Sequence, residues 1–192
     1  MQHVGRLLLP IGLVVITWAS PGLAQTTAAP ATDPEASAKL FKSIAEVLRH
    51  PRCMNCHTST DFPRQGDTRH RHQQMVMRGP AGRGTSAMLC SNCHQEKNSP
   101  DGRIPGAHNW HLAPLSMAWE DLKTDKALCE ALVDRSLNGD RDIAALVKHM
   151  HTDALVLWAW TPGDRKPPHI GVQEFQALLT RWGQTGGACP TE

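Results

Sequence analysis

Cys53-Met54-Asn55-Cys56-His57 and Cys90-Ser91-Asn92-Cys93-His94 decide how the rest of this 192-residue chain is read. Each is a complete C-x-x-C-H. Two thiols separated by two residues can bond covalently to the two vinyl groups of one haem, and the histidine that follows is delivered to the iron as its proximal ligand. Two C-x-x-C pairs can instead make a four-cysteine zinc site, but such pairs usually stand about 15–20 residues apart. Here 33 residues lie between Cys56 and Cys90. Zinc, or a pair of disulfides, also leaves the histidine after each second cysteine without a role. The motifs therefore predict two covalently bound haem c groups, attached at Cys53, Cys56, Cys90 and Cys93, with His57 and His94 on the irons.

Outward from the motifs, residues 1–24 read as a cleavable signal peptide. Arg6 forms a short basic start, Leu7 to Ala19 is almost wholly apolar, and Gly22-Leu23-Ala24 offers small residues for cleavage. The 13-residue apolar run is shorter than the roughly 20 residues needed to span a bilayer as a helix. The expectation is a periplasmic protein with no membrane span after cleavage. Residues 25–33 read as a disordered tether, and 34–192 as a single domain. The formal net charge is only +2, which gives no reason to expect nucleic acid or an anionic membrane as partner. Aromatic content is low and Tyr is absent; two porphyrins would supply much of the missing apolar core.

Along the chain, Asp33-Pro34-Glu35 has the form of a helix start, and Leu40, Phe41, Ile44, Val47 and Leu48 then fall on one face. Pro51 is expected to stop that helix just before the first motif. Residues 58–83 and 95–108 are polar and rich in Gly and Pro, so they read as loops. Gly79 to Thr85 briefly resembles a phosphate-binding loop but lacks the required Lys. Thr124 can cap a helix ended by Asn138-Gly139, Ile143 to Met150 marks another, Leu155 to Trp160 a short apolar piece, and Val172 to Trp182 a last amphipathic helix with Gly183 after it. No alternating strand is evident. The expected fold class is all-α: a cytochrome-c-like di-haem domain, helices and long loops packed around two neighbouring covalent haems.

A weak internal repeat bears on the second iron ligands. After each proximal histidine a loop of similar length leads to a His pair and then a Met: His70, His72 and Met77 after the first, His108, His111 and Met117 after the second. His72 or Met77 is thus expected at the first haem, and His111 or Met117 at the second. Crossed assignment stays open, as does ligation by His70, His108, His149, Met150 or His151. Arg64, Arg69, Arg71, Arg78 and Arg83 crowd the region between the motifs, where a guanidinium fork suits a haem propionate. Cys129 and Cys189 are left over and are expected to pair in an oxidising compartment.

Asp61-Phe62-Pro63-Arg64-Gln65-Gly66-Asp67 with His70-Arg71-His72, then Arg78-Gly79-Pro80, Trp110-His111-Leu112-Ala113-Pro114, Met117-Ala118-Trp119-Glu120 and Leu155-Val156-Leu157-Trp158 together resemble exported bacterial proteins catalogued as isoquinoline 1-oxidoreductase subunits. The resemblance covers most of the chain after about residue 40. The chain departs from that pattern at Thr58, where Pro is expected, and at Asn109, which separates His108 from Trp110. The resemblance implies an electron-transfer partner for a molybdenum hydroxylase. The resulting expectation is a carrier taking electrons from such a dehydrogenase, or another, toward a respiratory-chain acceptor, with no catalytic residue of its own. The alternatives are a di-haem peroxidase or a haem-based sensor, either of which needs one open iron position.

Overall fold

The first helix, α1 (Pro34–Leu48), begins as its sequence dictates. The Asp33 carboxylate accepts from the Ala36 N–H at 3.0 Å, and Pro34, with no N–H to lose, takes the first helical position. This computed structural model describes residues 32–192, so the expected signal peptide and the tether as far as residue 31 lie outside the described residues. Pro51 does more than end α1: it opens a second short helix, α2 (Pro51–Met54), that carries Cys53 into place.

Four further helices form the second half. α3 (Asp125–Val133) is capped by Thr124, α4 (Ile143–Thr152) by Asp142 and α5 (Ala154–Trp158) by Asp153; α6 (Val172–Gln184) lacks a side-chain cap. α3 stops five residues before Asn138-Gly139. The Asp134 carboxylate accepts from the Ser136 N–H and hydroxyl, which offers the backbone a turn in place of another helical bond. α6 continues through Gly183, where a side chain would press on Ile143 and Val147 of α4. α6 packs on α1 and α4, and α3 packs on α1. Phe41, Ile44, Val47, Leu128, Leu132, Phe175, Leu179 and Trp182 are fully buried between them, each side chain contributing about 1.5–3 kcal/mol. Cys129 of α3 is disulfide-bonded to Cys189, which ties the C-terminal segment to this core.

The expectation of helices and loops alone is corrected in the region between and around the motifs. Two small antiparallel ribbons lie there: β1 (Arg64–Gln65) with β2 (His70–Arg71), and β3 (Gly84–Thr85) with β4 (Met88–Leu89). Strands of two residues leave no alternation to read, and a polar Gly-rich sequence hides the turns that make them. The stretch resembling a phosphate loop is the lead into the second ribbon, which delivers the chain directly to Cys90. No helix among the described residues is long and apolar enough to cross a membrane.

Candidate functional site

Each motif forms one helical turn. The His57 N–H donates to the Cys53 carbonyl at 3.1 Å and the His94 N–H to the Cys90 carbonyl at 2.9 Å. That winding brings both thiols and the following imidazole to one side, which is the chemical reason for the spacing.

Each imidazole is then locked by a loop carbonyl. His57 Nδ1 lies 2.7 Å from the Met117 carbonyl oxygen and His94 Nδ1 2.7 Å from that of Pro105. A carbonyl only accepts, so Nδ1 carries the proton and Nε2 keeps its lone pair, the tautomer a metal ligand requires. Indoles fix the ring planes: Trp119 stacks on His57 with centroids 3.5 Å apart, and Trp110 on His94 at 4.5 Å. Burial also keeps both rings neutral, lowering the pKa of His94 and taking that of His57 down to about 4.

Two adjoining cavities open over these motifs, with void volumes of about 1160 and 1200 Å3 including their mouths. One contains Cys53, Cys56 and His57; the other contains Cys90, Cys93 and His94, with Cys56 at its edge. They share a wall made by Arg52, Cys56, Trp110, His111 and Trp158. None of the four motif cysteines is in a disulfide. Burial pushes the Cys53 thiol up to about 12 and the Cys56 thiol to about 11, so neither is a thiolate at neutral pH. Among the described residues no three Cys, His, Asp or Glu side chains converge as a metal cage.

The walls fit a large, mostly apolar, partly anionic group. Met77, Met88, Leu89 and Ile104 are 38–45% exposed, and all four line the second-motif cavity. Exposed apolar side chains gathered on one cavity are the mark of a surface meant to be covered. Among the described residues seven buried side-chain polar atoms lack a partner, and five belong to cavity walls: Arg52 Nε, Asn55 Oδ1, Arg64 Nε, His72 Nδ1 and Trp119 Nε1. A haem linked to each Cys pair would fit such walls, with His57 and His94 the residues that would hold its iron.

The other expected ligands distribute unevenly. His72 and Met77 both line the cavity of the second motif, not of the first, with which the repeat had paired them. Met117, His149 and Met150 line the first-motif cavity, and His111 lines both. Met117 serves His57 through its carbonyl. Asn109 takes a left-handed turn (φ 60°), and its carbonyl accepts from His111 Nδ1 at 2.5 Å, leaving Nε2 free there too. The Asp153 carboxylate sits 3.5 Å from His149 Nδ1. His70 and His108 are exposed and His151 bonds the Gln176 carbonyl; none of the three lines a cavity.

The arginines also sort differently. Arg64 and Arg69 pair with Glu120, Arg71 lies over the Phe62 ring, and Arg78 donates to the carbonyls of Thr58, Thr60 and Ala113. Arg64 alone of the five lines a cavity, that of the second motif, and it is joined there by Arg52, which lines both cavities, and Arg165. Sequence reading passed over Arg52 and Arg165, because nothing in their neighbours distinguishes them from surface cations. The stacking of Trp110 on His94 and of Trp119 on His57 had no signal in spacing.

No protein-family model matches the chain, and neither the curated proteins nor the solved structures contain a match.

Proposed function

We propose that this protein is a periplasmic di-haem cytochrome c, an electron carrier rather than an enzyme. The observation that carries the reading is the coincidence, twice over, of a complete C-x-x-C-H with an imidazole whose Nδ1 proton is tied to a carbonyl and whose motif lines a large cavity. Each bound haem supplies reversible one-electron exchange between ferric and ferrous iron. The chain's own residues anchor the porphyrins through four thioethers, hold His57 and His94 in the ligating tautomer, and exclude water with Trp110, Trp119 and Trp158. Further imidazoles in both cavities favour six-coordinate irons over the open position that a peroxidase or sensor needs.

The shared wall of Arg52, Cys56, Trp110, His111 and Trp158 sets the two cavities side by side, so one electron path can run through both. The export signal read at the N-terminus and the Cys129–Cys189 disulfide support a periplasmic location. The donor is a dehydrogenase of the molybdenum-hydroxylase type, as the resemblance implies, and the acceptor belongs to the respiratory chain.

The test is the optical spectrum and denatured mass of the mature protein made with haem-maturation machinery. Two haems should remain attached after denaturation, both low-spin when oxidised and when reduced. Absence of a Soret band under those conditions overturns the proposal.

A further inference from the structure

We propose that the iron held by the second motif takes its sixth ligand from the segment following the first motif, and that this ligand is His72. The inference rests on the di-haem reading and goes beyond it by crossing the ligands between the two halves of the repeat.

The His72 and His94 rings lie 6.2 Å apart, centroid to centroid, with planes inclined at 74°. Bonds from a metal to an imidazole nitrogen are about 2 Å long, and a ring centroid lies about 1 Å behind its nitrogen, so two rings on opposite sides of one metal stand about 6 Å apart. The observed spacing matches two imidazoles that share one metal, and it also falls within the roughly 4.5–7 Å of an edge-to-face aromatic pair, so the cavity and the unpartnered nitrogen decide between the two. Both rings line the same cavity with Cys90 and Cys93, and His72 does not line the cavity of the first motif. His72 Nδ1 is buried without a hydrogen-bond partner. A buried imidazole nitrogen left unpaired is costly unless a group absent from the polypeptide bonds that nitrogen, which would make Nδ1 the ligating atom of His72.

The backbone holds His72 in this position. The first ribbon leaves the first motif where the Arg64 N–H donates to the Asn55 carbonyl at 3.1 Å. It then turns through Gly66 and returns along β2, so that the His72 N–H reaches the Pro63 carbonyl at 3.1 Å. The ribbon is a short arm from one motif to the other's cavity. Met77, the rival in the same cavity, is 38% exposed and its sulfur is 3.5 Å from Arg71 Nη2.

The experiment uses two single-haem proteins, Cys90→Ala/Cys93→Ala and Cys53→Ala/Cys56→Ala, each with and without His72→Gly. Haem stoichiometry by denatured mass and spin state by absorption and electron paramagnetic resonance are read together. Crossed ligation predicts that His72→Gly turns the second-motif haem high-spin, with low spin restored by added imidazole. It also predicts no change in the first-motif haem. The reverse pattern, or a second-motif haem that stays low-spin without His72, overturns the inference while leaving the di-haem reading intact. Loss of all covalent haem from the unmutated chain overturns both. The second-motif haem decides, in the Cys53→Ala/Cys56→Ala protein or, if that does not fold, in the di-haem chain carrying His72→Gly with the first-motif protein as its baseline, and imidazole rescue separates a lost ligand from a lost structure.

Discussion

Trp119 holds His57 from two directions. Its indole lies parallel to the imidazole at 10°, with centroids 3.5 Å apart, and its backbone N–H donates to the His57 carbonyl at 2.9 Å. Met117, two residues earlier, receives the Nδ1 proton, so residues 117–119 fix the ring by both edge and face. Trp119 is only 4% exposed. Trp119→Ala should therefore cost about 3–5 kcal/mol, measured by denaturant unfolding. Trp119→Phe, which keeps an aromatic face, should recover much of that. Equal losses in the two variants would show that an aromatic face of smaller size does not restore what His57 requires.

Acid should loosen the same region. Burial takes the His57 pKa from 6.5 to about 4 against the opposing Met117 hydrogen bond. The unfolded chain therefore gains a proton near pH 6.5 that the folded chain refuses until about pH 4, and stability falls across that window by roughly 3 kcal/mol. Ligation to iron would act with the same sign. Glu120 adds a second fall at lower pH. Burial works to raise its pKa, but hydrogen bonds from Thr58 and Ser59 and the Arg64 and Arg69 charges outweigh it and hold the carboxyl below its usual range. Its contribution is present above the unfolded value of 4.5 and is lost as pH drops through the folded one. Urea unfolding from pH 7.5 to 3.5 should show both losses, and Glu120→Gln should remove only the lower one while costing about 2 kcal/mol at neutral pH. A flat profile between pH 7 and 5 would contradict the account of His57.

Residues whose chemistry is set by immediate neighbours were legible in the sequence. The thiol spacing and the following histidine, the Asp33 and Thr124 caps and the apolar face of α1 each follow from local geometry. Partners set by long-range contacts were not. His72 belongs to the second cavity because a two-residue ribbon carries it there, and such strands are too short to leave a pattern. Arg52 is 4% exposed beside Asp67, yet no mark in the sequence separates it from Arg71, which is exposed. Pro105 and Met117 serve through backbone carbonyls, which no side-chain motif can announce.

Cys129 and Cys189 are 60 residues apart in sequence and joined in the fold. Closing a loop of that length in the unfolded chain is worth about 4 kcal/mol in the chain-entropy account. Cys129→Ala/Cys189→Ala should lower the unfolding free energy by up to that amount. Haem stoichiometry should not change, since neither residue lines a cavity. Thermal unfolding with and without reductant gives the check: reductant should lower the midpoint of the parent protein more than that of the double variant, the difference being the disulfide's share. Loss of haem in the variant would instead place this disulfide upstream of cofactor attachment.

Arg52 offers the clearest handle on electron transfer. Its side chain is 1% exposed, it donates to Asp67 at 2.6 Å, and it lines both cavities. Guanidinium stays charged even when buried, and in the proposed di-haem protein its positive charge would oppose the extra charge of ferric iron on either side. Arg52→Met keeps the length and apolar stem while removing the charge, so both haem potentials should fall by tens of millivolts. Asp67→Asn leaves Arg52 unneutralised and should raise both. Redox titration followed at the Soret band resolves the two couples. Movement of only one couple in both variants would mean that Arg52 serves a single haem. Movement of neither couple in either variant would mean that the guanidinium charge is screened from the irons.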